Sequence, residues 1–234
     1  MFVSVVIPVH NEFESLETLY NTLSSLFVDS GYRYEIIFVN DGSIDDSLDI
    51  LEGIQRKDKM VKVIHFDKNR GRGDALLAGF DIAAGSHIIT IDADLQISVD
   101  NIPMILKELE HFDIVITHRI NRIESDGLLK FISSQVANFI RNKILSENFK
   151  DTGSSLCGFK RECFKVLPHC PDFWYFIASL GSAYGFSIKE IPIRSFPRRF
   201  GRSHYNIRNR VLKSAKALLE VRRIKTNIKN RKGF

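Results

Sequence analysis

His87-Ile88-Ile89-Thr90-Ile91-Asp92-Ala93-Asp94-Leu95-Gln96 joins an apolar, β-branched run to two acids one residue apart and a glutamine. A short unbroken apolar run of this kind suits a strand covered on both faces, as in parallel sheets. In an open parallel sheet the ligand crevice lies outside the carboxyl ends of the strands. On extended backbone Asp92 and Asp94 would point to the same side and offer two hard oxygen donors. Mg²⁺ or Mn²⁺ suits such a pair, one or two carboxylates being completed by substrate phosphates. Taken alone, Asp-x-Asp is equally a solvated turn after a strand, so its meaning depends on its neighbours.

Upstream, Phe2 to Val9 reads as a buried strand, and Leu16, Leu19, Leu23 and Leu26 follow at helical spacing. Tyr34 to Val39 is a second strand. Ser43 and Asp46 resemble an N-cap box for a helix reaching about Arg56. Val61 to Phe66 is a third strand, followed by Asn69-Arg70-Gly71-Arg72-Gly73 and a helix through Ala83. Downstream come a helix over about Asp100–Glu110 and a fifth strand, Asp113 to Thr117. Strands alternating with helices imply right-handed βαβ units, hence an α/β fold with a mostly parallel, Rossmann-like sheet flanked by helices. Beyond Thr117 the pattern changes. Leu128 to Leu145 is expected as one helix with Lys130, Ser134, Asn138 and Arg141 on one face or its edge. Asp151 to Gly158 is read as a small-residue turn leading through Phe159-Lys160 into a helix, Asp172 to Tyr184 as helical, and Ser187 to Ile193 as a last strand. Pro197 to Tyr205 is a basic loop. Asn206 to about Lys225 is a basic helix with Val211, Leu212, Ala215, Leu218 and Leu219 on one side. The expected organisation is a domain over residues 1–205 and a basic amphipathic C-terminal segment over 206–234.

The 234 residues, 44% hydrophobic and 26% charged, allow a sizeable core. The net charge of +5 is unevenly spread: from Arg194 to Phe234 there are 14 Lys/Arg against the single acid Glu220, so the remainder is net acidic. A basic tail on an acidic body suggests an anionic partner surface. Cys157, Cys163 and Cys170 lack metal-ligand spacing and read as reduced thiols of the cytosol. Neither a signal peptide nor a run of about 20 apolar residues is visible, so a chain that does not cross a membrane is expected.

Three of the first four strands end in acids. Glu12, Asp41 and the Asp92/Asp94 pair could accept hydrogen bonds from ribose hydroxyls and base N–H groups. Asp41 before Gly42 is also a turn former, and Glu12 also a first-turn acid at a helix start. The Gly71-Arg72-Gly73 turn could approach a phosphate. It lacks the spacing of a dinucleotide fingerprint or a P-loop, which disfavours a dehydrogenase and a P-loop enzyme.

Val5-Val6-Ile7-Pro8-Val9-His10-Asn11-Glu12, Val39-Asn40-Asp41-Gly42-Ser43, Asn69-Arg70-Gly71 with Ala75 and Gly79, and Asp92-Ala93-Asp94-Leu95-Gln96 occur in that order. Together they resemble the family 2 inverting glycosyltransferases with a GT-A fold, particularly the polyprenyl-phosphate (dolichol-phosphate mannose synthase-like) branch, from Phe2 to about Tyr205. The resemblance implies that Pro8, Glu12 and Asp41 hold the nucleoside of a nucleotide-sugar donor. Asp92, Asp94 and Gln96 would hold the metal and diphosphate. His118-Arg119, Lys130, Ser134, Asn138, Asp151 and Gly158-Phe159-Lys160 look like the acceptor side of that branch, which makes Arg119, Lys130 and Ser134 candidates for an acceptor phosphate. Arg199 to His204 resembles its basic loop, with His204 where lysine is usual. Arg199 and Arg202 would close over the donor diphosphate. Arg122 and Arg141 read as ordinary solvated charge, as Lys130 also can.

The implied chemistry is displacement at an anomeric carbon, with Asp94, Arg119 and Asp151 in catalytic roles. Asp151 is the base if the acceptor is a hydroxyl, with a cap on the Thr152-Gly153 turn as its other reading. A phosphate monoester acceptor, whose second pKa is about 6, needs no base. A polyprenyl-phosphate acceptor fits this, with the basic C-terminus on an anionic membrane and the protein peripheral on its cytoplasmic face. A separate membrane protein is a further candidate partner. The competing readings are a hydroxyl acceptor in a surface polysaccharide or protein glycan, a scaffold without activity, and a nucleic-acid binder. Nucleic acid is disfavoured because the tail lacks a recognition-helix motif and the crevice is acidic.

Overall fold

The structure, a computed structural model, describes residues 1–122, 124, 128–168, 173–198 and 207–231, with backbone alone at 128–130, 173–174, 207–215 and 231. Seven strands form one sheet: β1 (Phe2–Val9), β2 (Arg33–Asp41), β3 (Val61–Phe66), β4 (His87–Thr90), β5 (Ile114–Arg119), β6 (Cys157–Lys160) and β7 (Ile188–Ile193). Their order is β3-β2-β1-β4-β6-β5-β7. Every pairing is parallel except those of β6, which runs antiparallel between β4 and β5.

The alternating side chains of β1 explain its unbroken apolar run. Val3, Val5 and Ile7 meet Leu16, Leu19, Leu23 and Phe27 of α1 (Phe13–Ser30) and Leu51 and Ile54 of α2 (Ser47–Lys57) on one face. Ile105 and Leu106 of α4 (Ile102–Glu108) join the same layer. Val6 faces the opposite layer, with Leu76 and Phe80 of α3 (Arg72–Ile82). Phe164 of α6 (Arg161–Val166) and Leu180 of α7 (Ile177–Tyr184) complete that layer. Each such side chain contributes roughly 1.5–3 kcal/mol when buried, so a strand covered on both faces is favoured over a half-exposed one. At Gly79 a Cβ would stand 2.3 Å from Val6 Cγ1, and this is what lets α3 lie directly on β1.

Several elements differ from expectation. The helix after β2 starts at Ser47, and its N-cap Asp46 makes no side-chain capping bond. Ser43 Oγ accepts from Asn11 N at 3.0 Å instead, because bridging two loops satisfies a donor that local capping would leave open. Part of the expected 151–158 turn is strand β6: tertiary pairing overrides a four-residue segment that carries no periodicity of its own. The aromatic segment holds a 3-10 turn at Phe173–Phe176 before α7, and residues 169–172, including Cys170, lie outside the described residues. The C-terminal helix α8 (Ile207–Arg231) packs against α7 and against α5 (Leu128–Leu145). It buries Ala217 and Val221, packs Leu218 against the same layer and exposes Leu219, while the side chains of Val211, Leu212 and Ala215 lie outside the described residues. No helix among the described residues is long and apolar enough to cross a membrane.

Candidate active site

The parallel strands bring their carboxyl ends to one rim. Antiparallel β6 begins at that rim, since Cys157 pairs with Thr90 and with Ile116. The 151–156 loop therefore reaches the same edge as the loop after β4. The chain after β7 arrives there too, because Ile193 pairs with Arg119.

The donor side is a laced set of loops. Glu12 N donates to Ser47 Oγ at 3.0 Å, and Ile44 N donates to Asn11 Oδ1 at 2.9 Å. His10 Nδ1 donates to the Asp41 carbonyl at 2.9 Å. The Asp41 carboxylate is buried and accepts Arg70 N at 2.7 Å and Gly71 N at 2.9 Å, so it holds the loop that opens α3. Gly42 makes this turn possible: its φ is +64°, and a Cβ there would lie 2.4 Å from Asn69 N.

Asp92 and Asp94 lie just beyond β4, and Asp94 stands in a turn rather than on the extended backbone expected for the pair. Leu95, with φ +57°, bends the chain so that Gln96 N donates to Asp94 Oδ1 at 3.1 Å. This left-handed backbone costs about 1–2 kcal/mol for a non-glycine residue. Asp92 Oδ1 accepts Arg72 Nε at 2.8 Å. Asp94 Oδ2 meets Arg198 Nη2 at 2.9 Å, and the same nitrogen is 3.1 Å from Glu12 Oε1. The 195–198 segment is held over the crevice by Phe196 N donating to the Gln96 carbonyl at 2.8 Å and by Asn121 Oδ1 accepting Ser195 N at 2.8 Å. The Gln96 side chain donates to the Phe196 carbonyl at 3.4 Å.

Burial pushes Glu12 up to about 7, with Asp94, Asp92 and Asp45 adding to the rise and Arg198 opposing it. Burial, then the charge of Asp92, also raises Asp94 against the pull of Arg198. Glu12 Oε2 is buried without a hydrogen-bond partner among the described residues. An acid-rich crevice with two hard carboxylates and an unpartnered buried oxygen fits Mg²⁺ or Mn²⁺. No group of three or more His, Cys, Asp or Glu converges among the described residues, so water and substrate oxygens would complete the shell. Pro8 pairs with Val39 at the end of β1, beside this crevice.

The second cluster centres on Asp151. Its buried carboxylate takes Arg119 Nε at 2.8 Å and Arg122 Nη1 at 3.4 Å, and Gly153 N donates to it at 2.9 Å. Burial alone would raise Asp151, but the Arg119 hydrogen bond and the charges of Arg119 and Arg122 outweigh it and hold the group below its ordinary value. Arg122 also donates to Ser134 Oγ on α5. Asn138 Nδ2 donates to the Lys150 carbonyl at 3.0 Å, and Glu190 of β7 accepts Lys150 N at 2.9 Å. Arg122 and Arg141 are buried, correcting their reading as solvated charge. Burial pulls Arg141 below its ordinary value. Cys157 and Cys163 are buried free thiols raised by burial, and the site does not use them.

The structure therefore gathers Glu12, Asp41, Asp92, Asp94 and Gln96 at one crevice, and Arg119, Ser134 and Asp151 at a second cluster on the same rim. Arg199, Arg202 and the Lys130 side chain lie outside the described residues. Sequence reasoning missed Arg72, Arg122, Arg198 and Glu190. Arg72 stood inside the glycine turn already singled out, and Arg198 inside the Pro197–Tyr205 basic loop, one position before the stretch that carries the resemblance. Nothing local marks Glu190.

The profile of the family described as Glycosyl transferase family 2 matches residues 4–167. Among curated proteins, the undecaprenyl-phosphate 4-deoxy-4-formamido-L-arabinose transferase of Edwardsiella ictaluri is 33% identical over 208 residues, which is 88% of this chain and 63% of the relative. The chain thus spans less than two thirds of that relative's length. In fold it is similar to glucosyl-3-phosphoglycerate synthase of Mycobacterium tuberculosis, solved with Mn²⁺, UDP-glucose and phosphoglyceric acid (TM-score 0.71, 18% identity, 94% of this chain and 79% of that one). It is also similar to mannosyl-3-phosphoglycerate synthase of Rubrobacter xylanophilus (TM-score 0.69, 14% identity, 99% of this chain and 75% of that one). Both likenesses agree with the GT-A architecture of the sheet. The chain belongs to glycosyl transferase family 2.

Proposed function

We propose that the protein is an inverting glycosyltransferase that moves a sugar from a GDP- or UDP-linked donor onto a polyprenyl phosphate. The observation that carries this reading is the pair of guanidinium groups, Arg119 and Arg122, that both meet the carboxylate of Asp151 beside Ser134. A phosphate monoester with a second pKa of about 6 is largely dianionic at neutral pH, so it needs positioning more than deprotonation. Arginines give charge-assisted bonds suited to that task. Asp151, held anionic and weakly basic, balances and orients the two guanidinium groups. The 33% identical relative, named for undecaprenyl phosphate, supports the same acceptor class.

On the donor side, Pro8, Glu12 and Asp41 would hold the nucleoside, and Asp92, Asp94 and Gln96 a divalent cation and the diphosphate. Bound Mg²⁺ or Mn²⁺ would supply positive charge where the leaving diphosphate develops negative charge. A phosphate oxygen of the acceptor forms the new bond to the anomeric carbon as the bond to the diphosphate breaks, and the diphosphate keeps the electron pair. Arg198, with Arg199 and Arg202 in the same basic segment and Lys130 near the acceptor, adds cations at the two ends of that displacement. The basic α8 would keep the protein peripheral on the cytoplasmic face of an anionic membrane, alone or beside a separate membrane protein.

A panel of UDP- and GDP-sugars with a short polyprenyl phosphate and Mn²⁺ or Mg²⁺, read by nucleotide release, tests this. Turnover with one donor is expected, falling about 100-fold or more in Asp94→Ala and lost on chelation. Turnover unchanged by that substitution, or none with any donor, ends the reading. Turnover of a neutral hydroxyl acceptor alone moves it to the glycan reaction, with Asp151 as base.

A further inference from the structure

One nitrogen of Arg198 closes over two acids at once. Its Nη2 lies 2.9 Å from Asp94 Oδ2 and 3.1 Å from Glu12 Oε1, so the guanidinium bridges the acid that follows β1 and an acid beyond β4. With Arg198 in place, the Asp94 side chain is 9% exposed and that of Glu12 11%. The second Asp94 oxygen accepts Gln96 N at 3.1 Å. Asp92, paired with Arg72, keeps 30% of its side chain exposed and is the most open of the three acids. A divalent ion needs hard carboxylate oxygens in direct contact. Two cations crowded onto one carboxylate repel each other, the more so where water is excluded.

We infer that Arg198 is an internal counter-cation that leaves Asp94 and Glu12 when a divalent ion enters the crevice, the ion and the guanidinium exchanging for the same oxygens. Charge favours exchange over joint occupancy. Ionised Glu12, Asp92 and Asp94 carry three negative charges, which are costly to bury uncompensated. A divalent ion and Arg72 balance them without Arg198. The backbone permits the exchange. Ser195 is the anchored end: it is buried, its N–H donates to Asn121 Oδ1 and its carbonyl accepts Asn121 Nδ2, each at 2.8 Å. Between that anchor and Arg198 stand Phe196, 45% exposed and held through Gln96, and exposed Pro197. Arg198 can therefore withdraw while Ser195 stays fixed. The inference rests on the donor-site part of the reading above, in which this crevice takes Mg²⁺ or Mn²⁺ with a nucleoside diphosphate. A guanidinium released there is at hand for the diphosphate, with which it makes charge-assisted bonds. Coupling of this kind is reciprocal: the diphosphate tightens the ion by drawing Arg198 away, and the ion tightens the diphosphate by freeing Arg198 for it.

Mn²⁺ titrated into the full chain after chelator treatment, at mildly alkaline pH where the carboxyl groups are ionised, tests this without turnover. Bound ion is read as loss of the free Mn²⁺ signal in electron paramagnetic resonance. Without nucleotide, Arg198→Met should bind Mn²⁺ roughly tenfold or more tightly than the wild type. UDP or GDP titrated at saturating Mg²⁺ should change in the opposite sense and bind several-fold more weakly to the variant. Circular dichroism and melting in chelator check the fold. Arg198→Gln, which keeps a donor for Asp94 without the charge, should show the same two changes and carries the test if Arg198→Met does not fold. Equal Mn²⁺ affinity in variant and wild type overturns the inference. Weaker binding of both ion and nucleotide also overturns it, because Arg198 then only holds the crevice together. So does tighter Mn²⁺ with nucleotide affinity unchanged, because the released guanidinium then has no diphosphate to meet. Transfer to polyprenyl phosphate is measured separately on the wild type. The two expected changes without transfer remove the enzymatic reading alone, and transfer with equal Mn²⁺ affinities removes this one alone.

Discussion

Glu12 holds its carboxyl in a crevice where burial and three neighbouring acids work against the negative charge and Arg198 works for it. Its folded value of about 7 lies above the ordinary 4.5. The protonated form therefore contributes stability that is complete below about 4.5 and lost as pH rises through about 7. Glu12→Gln cannot lose that contribution, so the melting temperature of the wild type should fall relative to the variant between pH 4.5 and 7 and run parallel above. Parallel curves throughout would show that the crevice does not perturb this group. Asp151 is the opposite case, a buried acid kept ionised by two arginines. In Asp151→Asn the acceptor KM should rise roughly tenfold or more as the guanidinium groups lose their anchor. An acid limb near pH 6, from the second ionisation of the acceptor, should survive in kcat/KM. Loss of that limb with KM unchanged would instead identify Asp151 as a base.

At the scale of elements, periodicity was a reliable guide wherever burial has a simple period. The strands of the first half and α1 were legible because their apolar spacing follows the faces they bury. Strand β6 was not, since four residues placed between β4 and β5 owe their conformation to neighbours distant in sequence. Polar residues turned inward also defeated the reading of α5: Arg141 shared a face with Ser134 and Asn138 in the sequence, yet a charge on a helix reads as solvated until its partners are known. The joint between α8 and α5 shows what such hidden pairs hold together. The Glu147 side chain is only 5% exposed, and Lys225 neutralises it while capping the end of α5. Lys225→Met should cost about 3 kcal/mol by leaving that acid unpaired, seen as a lower denaturant midpoint with an unchanged slope. No change in midpoint would mean that apolar packing, including Ala217, Leu218, Val221 and Ile224, holds α8 without this pair.

For the whole molecule, the basic C-terminal stretch is part of the folded body. Ala217 and Val221 sit in the second core layer, so removing the helix would uncover α7 as well as removing charge. Charge reversal at Lys216, Arg222, Arg223 and Lys229 is the cleaner probe. Each lysine or arginine near an anionic bilayer contributes about 1 kcal/mol, so the quadruple Glu variant should lose low-salt flotation by several hundredfold while its melting temperature changes little. Retained flotation would remove α8 from membrane attachment.

By itself, the sequence determined the α/β class, the strands other than β6 and the acids that end β1, β2 and the β4 stretch, because buried strands and strand-end polar groups leave local marks. Its ordered motifs also pointed to the family that the profile match establishes. Only the tertiary structure decided which charges meet: Arg72 with Asp92, Arg198 with Asp94 and Glu12, Arg119 and Arg122 with Asp151. These pairs join residues from 20 to 104 positions apart, or 186 for Arg198 with Glu12. Sheet order and the antiparallel β6 set such distances, and no local pattern encodes them.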